Sequence, residues 1–167
     1  MSYLCLLPYL RQLGDVAPDL APGDLESLRA FQPEREPVYE AAADVLIGAD
    51  AITRQAAHLV CRVYPEMEER FGADAEDTLA ADMTRLLRSV VLTMVLDDRA
   101  LLQRHCLYWM RQVLDAAGFA RLDPVVVAAF SVLRQLVVSR LTPEARNAIE
   151  PYLDDMVAVI CRNEFAH

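Results

Sequence analysis

The stretch DAEDTLAADMTRLLRSVVLTMVLDD, residues 74–98, decides the fold. Its apolar residues Leu79, Met83, Leu86, Leu87, Val90, Val91, Met94 and Val95 recur at steps of three and four, with adjacent pairs between. That is the period of an α-helix pressed against a core along its whole length. Asp74 stands where an N-cap belongs, and Asp97-Asp98 break the pattern at the far end.

The same punctuation continues on both sides. Upstream, Pro37 at a first-turn position opens a helix through Val38, Ala42, Val45 and Leu46 to about Gly48. Asp50 reads as the N-cap of a following helix that carries Ile52, Ala56, Leu59, Val60 and Val63 on one face. Asp24 starts a short helix to about Phe31, and Tyr3 to Leu13 forms an apolar N-terminal one that ends at Gly14. Downstream, Leu101 to Ala117 reads as a helix closed by Gly118. Asp123-Pro124 and Thr142-Pro143 are N-cap and first-turn pairs for two more, running to about Arg140 and Asn163. Nothing reads as a strand. Short turns between this many helices predict an all-α, globin-like pile rather than a four-helix bundle. Residues 1–22 are read as an N-terminal helical extension and residues 23–167 as one globin-like domain.

Composition excludes several functions. The net charge is -9, and all 16 basic residues are Arg. An acidic surface repels phosphate backbones, so no nucleic acid is expected as a partner. The lack of Lys removes Schiff-base and P-loop lysine chemistry. Cys5, Cys61, Cys106 and Cys161 form no CxxC pair, and Met1 to Leu10 lacks the basic start of a secretory signal. Reduced thiols and a cytoplasmic location are the expectation. The densest later apolar run, Ser89 to Leu96, is far short of the roughly 20 residues of a membrane span.

Catalytic chemistry is thin. His58, His105 and His167 are the three histidines, and no HExxH, zinc spacing, GxSxG or phosphate loop accompanies them. Glu68-Glu69 and Asp154-Asp155 are sequence neighbours, about 100° apart on a helix, and read as solvated faces. No enzyme is expected. The richest segment runs from Asp82 to Arg111: Asp82, Arg85 and Arg88 flank the apolar stripe, and Arg104, His105, Cys106, Tyr108, Trp109 and Arg111 follow one helix later. Arginines beside an aromatic cleft suit carboxylates such as propionates, and a carboxylate in that cleft would accept from pyrrole N–H groups. Periodicity alone favours the plainer view that these arginines solvate a helix face and Trp109 is core.

Leu79-Ala80-Ala81-Asp82-Met83-Thr84-Arg85-Leu86-Leu87-Arg88 through Asp97-Asp98, followed by Cys106-Leu107-Tyr108-Trp109-Met110-Arg111, resembles the phycobiliproteins, globin-derived carriers of linear tetrapyrroles. The register holds without a gap across both helices. Ile52-Thr53-Arg54-Gln55-Ala56, Leu122-Asp123-Pro124 and Pro151-Tyr152-Leu153-Asp154 are similar to further family segments. The resemblance spans about residues 24–160. It implies that Asp82 is the aspartate that hydrogen-bonds the central pyrrole nitrogens and that Arg88 is the family's helix arginine. His105 falls near a position that faces the chromophore. Leu79 and Met83 of the long helix, with Arg85, Cys106, Tyr108 and Trp109, complete the implied cofactor site.

The departures are as informative. The cysteine that tethers the pigment is Leu79 here, the pocket arginine is Ala81, and Asp97 stands at the family's turn glycine. A thioether at the usual place is impossible, and Cys106 or Cys61 would have to serve instead. The pattern is most like the bacterial bilin-biosynthesis-associated globins. That implies a carrier of biliverdin, or of a reduced, phycocyanobilin-like bilin, working beside heme oxygenase or a bilin reductase. No metal ion is implied. Two other classes remain: a heme globin with His58 or His105 as ligand, and a cofactor-free globin acting as a scaffold. On the binding reading Asp82 is buried over a groove between the two helices, with an arginine as its cation partner. Tyr3, Leu4, Leu6, Leu7, Tyr9, Leu10 and Leu13 point to a homodimer formed through the N-terminal extension.

Overall fold

The computed structural model describes residues 20, 22–116, 118–119 and 123–162, without the side chains of residues 22, 70, 104–106, 109, 113 and 162. The expected helix at Tyr3 to Leu13, and almost all of the expected extension 1–22, lie outside the described residues. The described chain is helical, with no strand among the described residues. Helix α1 spans Pro22–Phe31, α2 Glu36–Val63, α3 Glu66–Phe71 and α4 Ala75–Leu96. A short turn of helix, α5 (Arg99–Leu101), runs into a π-helical segment (Leu102–Leu107) and then α6 (Tyr108–Ala116). Helices α7 (Pro124–Val138) and α8 (Pro143–Val157) close the chain, α8 continuing as a second π-helical segment (Ala158–Arg162).

Helix α2 is the centre of the packing, lying against α4 along much of its length and also against α7 and α8. Ala41, Ala42, Ala49, Ala56 and Ala57 on α2 are all buried, which lets neighbouring backbones approach closely. Tyr39, Ile52, Leu87, Met94, Leu133, Ile149, Leu153 and Met156 fill the interior.

One expected boundary is wrong. Gly48 and Asp50 do not separate two helices; both lie inside α2, 28 residues long. A glycine in mid-helix costs about 1 kcal/mol. Burial of Val45, Ala49, Ile52, Ala56 and Val60 in one continuous stripe outweighs it. Gly48 also has a packing reason: a Cβ there would meet Ile52 Cδ1 at 3.3 Å. Helix α3 was not expected; it starts beyond Pro65 and stops at Gly72, whose φ is 84°.

Helix α4 begins and ends where its pattern says, but the expected cap at Asp74 makes no side-chain hydrogen bond. From Ser89 to Leu96 every residue is buried, so this half is enclosed on all sides. The preceding half is buried on one face and carries Asp82 and Arg85 toward water. The carbonyls freed at its C-terminus find a distant partner, because Arg35 donates to Val95 O at 2.8 Å and to Met94 O at 3.1 Å. Asp97 then turns the chain with φ 54°. The caps at Asp123 and Thr142 form as expected, accepting from Val125 N at 2.9 Å and from Ala145 N at 3.3 Å.

Candidate functional site

Helix α4 sets Leu79, Asp82 and Arg85 at three-residue steps, a strip of neighbouring side chains on its partly exposed half. Leu79 packs partly against the core. The Asp82 carboxylate lies 3.7 Å from the Arg85 guanidinium, with side chains 40% and 73% exposed. The expected arginine partner is therefore present, but the expected burial of Asp82 is not. Solvent already carries part of its charge, so the several kcal/mol that burying a lone carboxylate would cost does not arise. An exposed pair of this kind contributes about 0–1 kcal/mol and separates readily.

The other two candidates on α4 face elsewhere. Met83, 1% exposed, is part of the core. Arg88 is turned to α2, where its guanidinium stands 3.7 Å from Asp50. Between these, Thr84 Oγ1 and Thr53 Oγ1 share a hydrogen bond of 2.7 Å, a polar seam that joins α4 to α2.

The wall is the stretch from Arg99 to Ala116, which follows α4 in the chain. It was expected as a plain α-helix, but its first half is π-helical, with Tyr108 N–H donating to the carbonyl of Gln103 five residues back. Leu102 and Leu107 are buried, and Tyr108 is about half exposed. The side chains of His105, Cys106 and Trp109 lie outside the described residues, so these three hold their places as helical positions. Arg111, read from sequence as one arm of the cleft, is instead a brace. It is 3% exposed and donates to Ile160 O at 2.9 Å, to Phe119 O at 2.7 Å and to Asp115 Oδ1 at 2.9 Å.

The remaining thiols and histidines sort by exposure. Cys61 is buried, and burial first, then the charges of Glu76 and Glu68, push its thiol up. Such a thiol is a poor nucleophile. His58 stands on the surface with Nδ1 3.3 Å from Glu76 Oε1, not in a cavity that could take a heme. A cleft of about 120 Å³ opens between α1 and the end of α4, lined by Leu20, Asp24, Ser27, Leu28, Leu92, Val95 and Leu96. It is smaller than the roughly 300–1,000 Å³ of small-molecule sites, and on α4 it is lined by Leu92, Val95 and Leu96 rather than by the Leu79–Asp82–Arg85 strip.

Sequence reading missed the anchors that tie this stretch and the turn before it to α8. Arg99 donates to Asp155 Oδ2 at 2.7 Å and also to Oδ1, although the two residues are 56 apart in the chain. Tyr152 donates to Asp97 Oδ1 at 3.0 Å across 55 residues. Charge and hydroxyl partners at such separations leave no local pattern.

The family model described as phycobilisome protein matches residues 17–160. The chain belongs to the phycobilisome protein family. No curated protein matches it in sequence. Membership makes the helical pile a globin-like fold of phycobiliprotein type and implies a bilin as ligand class. Phycobiliproteins hold pigment rather than turn over substrate. No described helix is long and apolar enough to cross a membrane.

Proposed function

We propose that this phycobilisome-family chain binds a linear tetrapyrrole non-covalently on the Leu79–Asp82–Arg85 strip, with positions 105–109 as the facing wall. The observation that carries this reading is the Asp82–Arg85 pair, an acceptor and a cation side by side, solvated and loosely joined. A carboxylate accepts from pyrrole N–H groups, and a guanidinium fork matches a propionate. Leu79 offers apolar contact and no thiol, while Cys61 is buried and poorly nucleophilic. His105, Cys106, Tyr108 and Trp109 belong to the wall, and Met83 and Arg88 support the strip from behind.

Without a tether the pigment remains exchangeable, which suits a carrier or chaperone more than an antenna. The role assigned is therefore that of the bacterial bilin-biosynthesis-associated globins. The chain would receive biliverdin or a reduced bilin in the cytoplasm and pass it between heme oxygenase and a bilin reductase, acting as a homodimer joined through residues 1–22.

Absorption spectra of the purified protein with biliverdin, and with hemin in parallel, test the reading. Binding sharpens the long-wavelength band and shifts it to the red, Asp82→Asn weakens that change, and the denatured protein shows no added mass. An unperturbed biliverdin spectrum, or a Soret shift with hemin alone, overturns it. A covalent adduct that disappears in Cys106→Ala would replace the non-covalent part.

A further inference from the structure

A π-helical turn holds one residue more than its α-helical equivalent, so it rotates every later position by about 100° relative to a regular helix. In the facing wall, the turn Leu102–Leu107 therefore sets which positions from 108 onward look toward the core. The result is visible in Met110 and Arg111, which are buried, and in Tyr108, which is half exposed. π-Helical turns are rare because their hydrogen bonding is less favourable, so one that persists is held by its surroundings.

Here both ends of the turn are held by the same part of the chain. At the near end Asp98 Oδ1 accepts from Leu101 N at 2.8 Å, and Arg99 grips the buried carboxylate of Asp155 on α8 with two hydrogen bonds. At the far end Arg111 donates to the carbonyl of Ile160, in the continuation of α8. The wall is thus suspended between residues 155 and 160 of one helical element.

We propose that the Arg99–Asp155 pair is a positioning device for the bilin site: it keeps the wall in its π register and so fixes the side that positions 108 and 109 turn to the pigment. This rests on the bilin reading above. Arg99 and Asp155 act through the wall and are not themselves assigned contact with the ligand. Arg111 is a poor probe, because its loss would strand two buried carbonyls and threaten the fold.

The test compares Arg99→Gln with Arg134→Gln in the full chain. Arg134 is the comparison: it also grips α8, donating to Asp154 at 2.7 Å and to Glu150 at 3.0 Å, but from α7 rather than from the wall. Two readouts are taken. In the protein without pigment, amide hydrogen exchange across residues 100–109 rises in Arg99→Gln and stays at the wild-type rate in Arg134→Gln. With saturating biliverdin, Arg99→Gln gives a broadened band of shorter wavelength and about tenfold weaker binding, the scale of one lost charged hydrogen bond. Arg99→Lys, which keeps the charge but not the fork, falls between. A bound spectrum unchanged in Arg99→Gln, or changed equally in Arg134→Gln, overturns the proposal. A wild-type protein that leaves biliverdin unperturbed overturns the bilin reading and the positioning role together. The exchange data then show separately whether the pair holds the turn.

Discussion

The phenol of Tyr152 donates a hydrogen bond of 3.0 Å to Oδ1 of Asp97, the one non-glycine residue among the described residues with a positive φ. A non-glycine residue in this region costs roughly 1–2 kcal/mol, less for Asp than for most. The hydrogen bond returns a comparable amount. Asp97→Gly removes both the strain and the bond, and its expected stability is close to that of the wild type. Asp97→Ala retains the strain and loses the bond, with an expected loss of about 1–3 kcal/mol in denaturant unfolding. Equal stability of the glycine and alanine variants would count against the balance.

Burial, and next the hydrogen bond to Asp97 and its charge, raise the Tyr152 phenol well above the ordinary tyrosine value of about 10. Below about pH 10 the folded and unfolded chains both keep this proton, and its contribution to stability is fully present. Above that pH the unfolded chain alone loses the proton, so stability falls as pH rises toward the folded value. Thermal melts between pH 9 and 11 should therefore decline less steeply in Tyr152→Phe than in the wild type.

Arg35 supplies two charged hydrogen bonds to the last carbonyls of α4 and lies 6.0 Å from the centre of the Tyr39 ring. Arg35→Met keeps much of the apolar stem and removes the donors, with an expected loss of about 1–3 kcal/mol. Arg35→Lys should recover only part of it, since an ammonium lacks the planar fork. Full recovery in the lysine variant would show that charge alone matters here.

Cys61 is expected to resist thiol reagents at pH 8 in the folded protein and to react once the chain is unfolded, because its thiol is both buried and raised. Peptide mapping after timed alkylation reads this directly. Rapid modification of Cys61 under native conditions would contradict the burial of this end of α2.

The elements legible in the sequence were those with local signals. Asp123-Pro124 and Thr142-Pro143 place cap and first turn side by side, and Asp97-Asp98 ends a stripe that had run since Leu79. Gly48 and Asp50 misled for the opposite reason. Both are local breakers, but the buried stripe from Val45 to Val60 crosses them, and tertiary burial prevails over propensity. In the candidate site, the sequence set Asp82, Arg85 and Arg88 beside the apolar stripe, and Asp82 and Arg85 do stand together. The partner that draws Arg88 away, Asp50, stands on another helix, and Met83 lies one 100° step from Asp82, enough to take it inside. Arg35, Arg99 and Tyr152 meet their partners across more than fifty residues, where no periodicity reaches.

Helix α4 divides its labour along its length: Asp82 and Arg85 stand on a wetted half, and Ser89 to Leu96 on an enclosed one. Inheritance will treat the halves differently. A changed side chain at position 82 or 85 alters what the surface greets and leaves the interior untouched, whereas one at 90, 91 or 94 disturbs several neighbours at once. The helix is thus both keel and figurehead: its front can change what it presents to the surroundings while its rear keeps the hull closed.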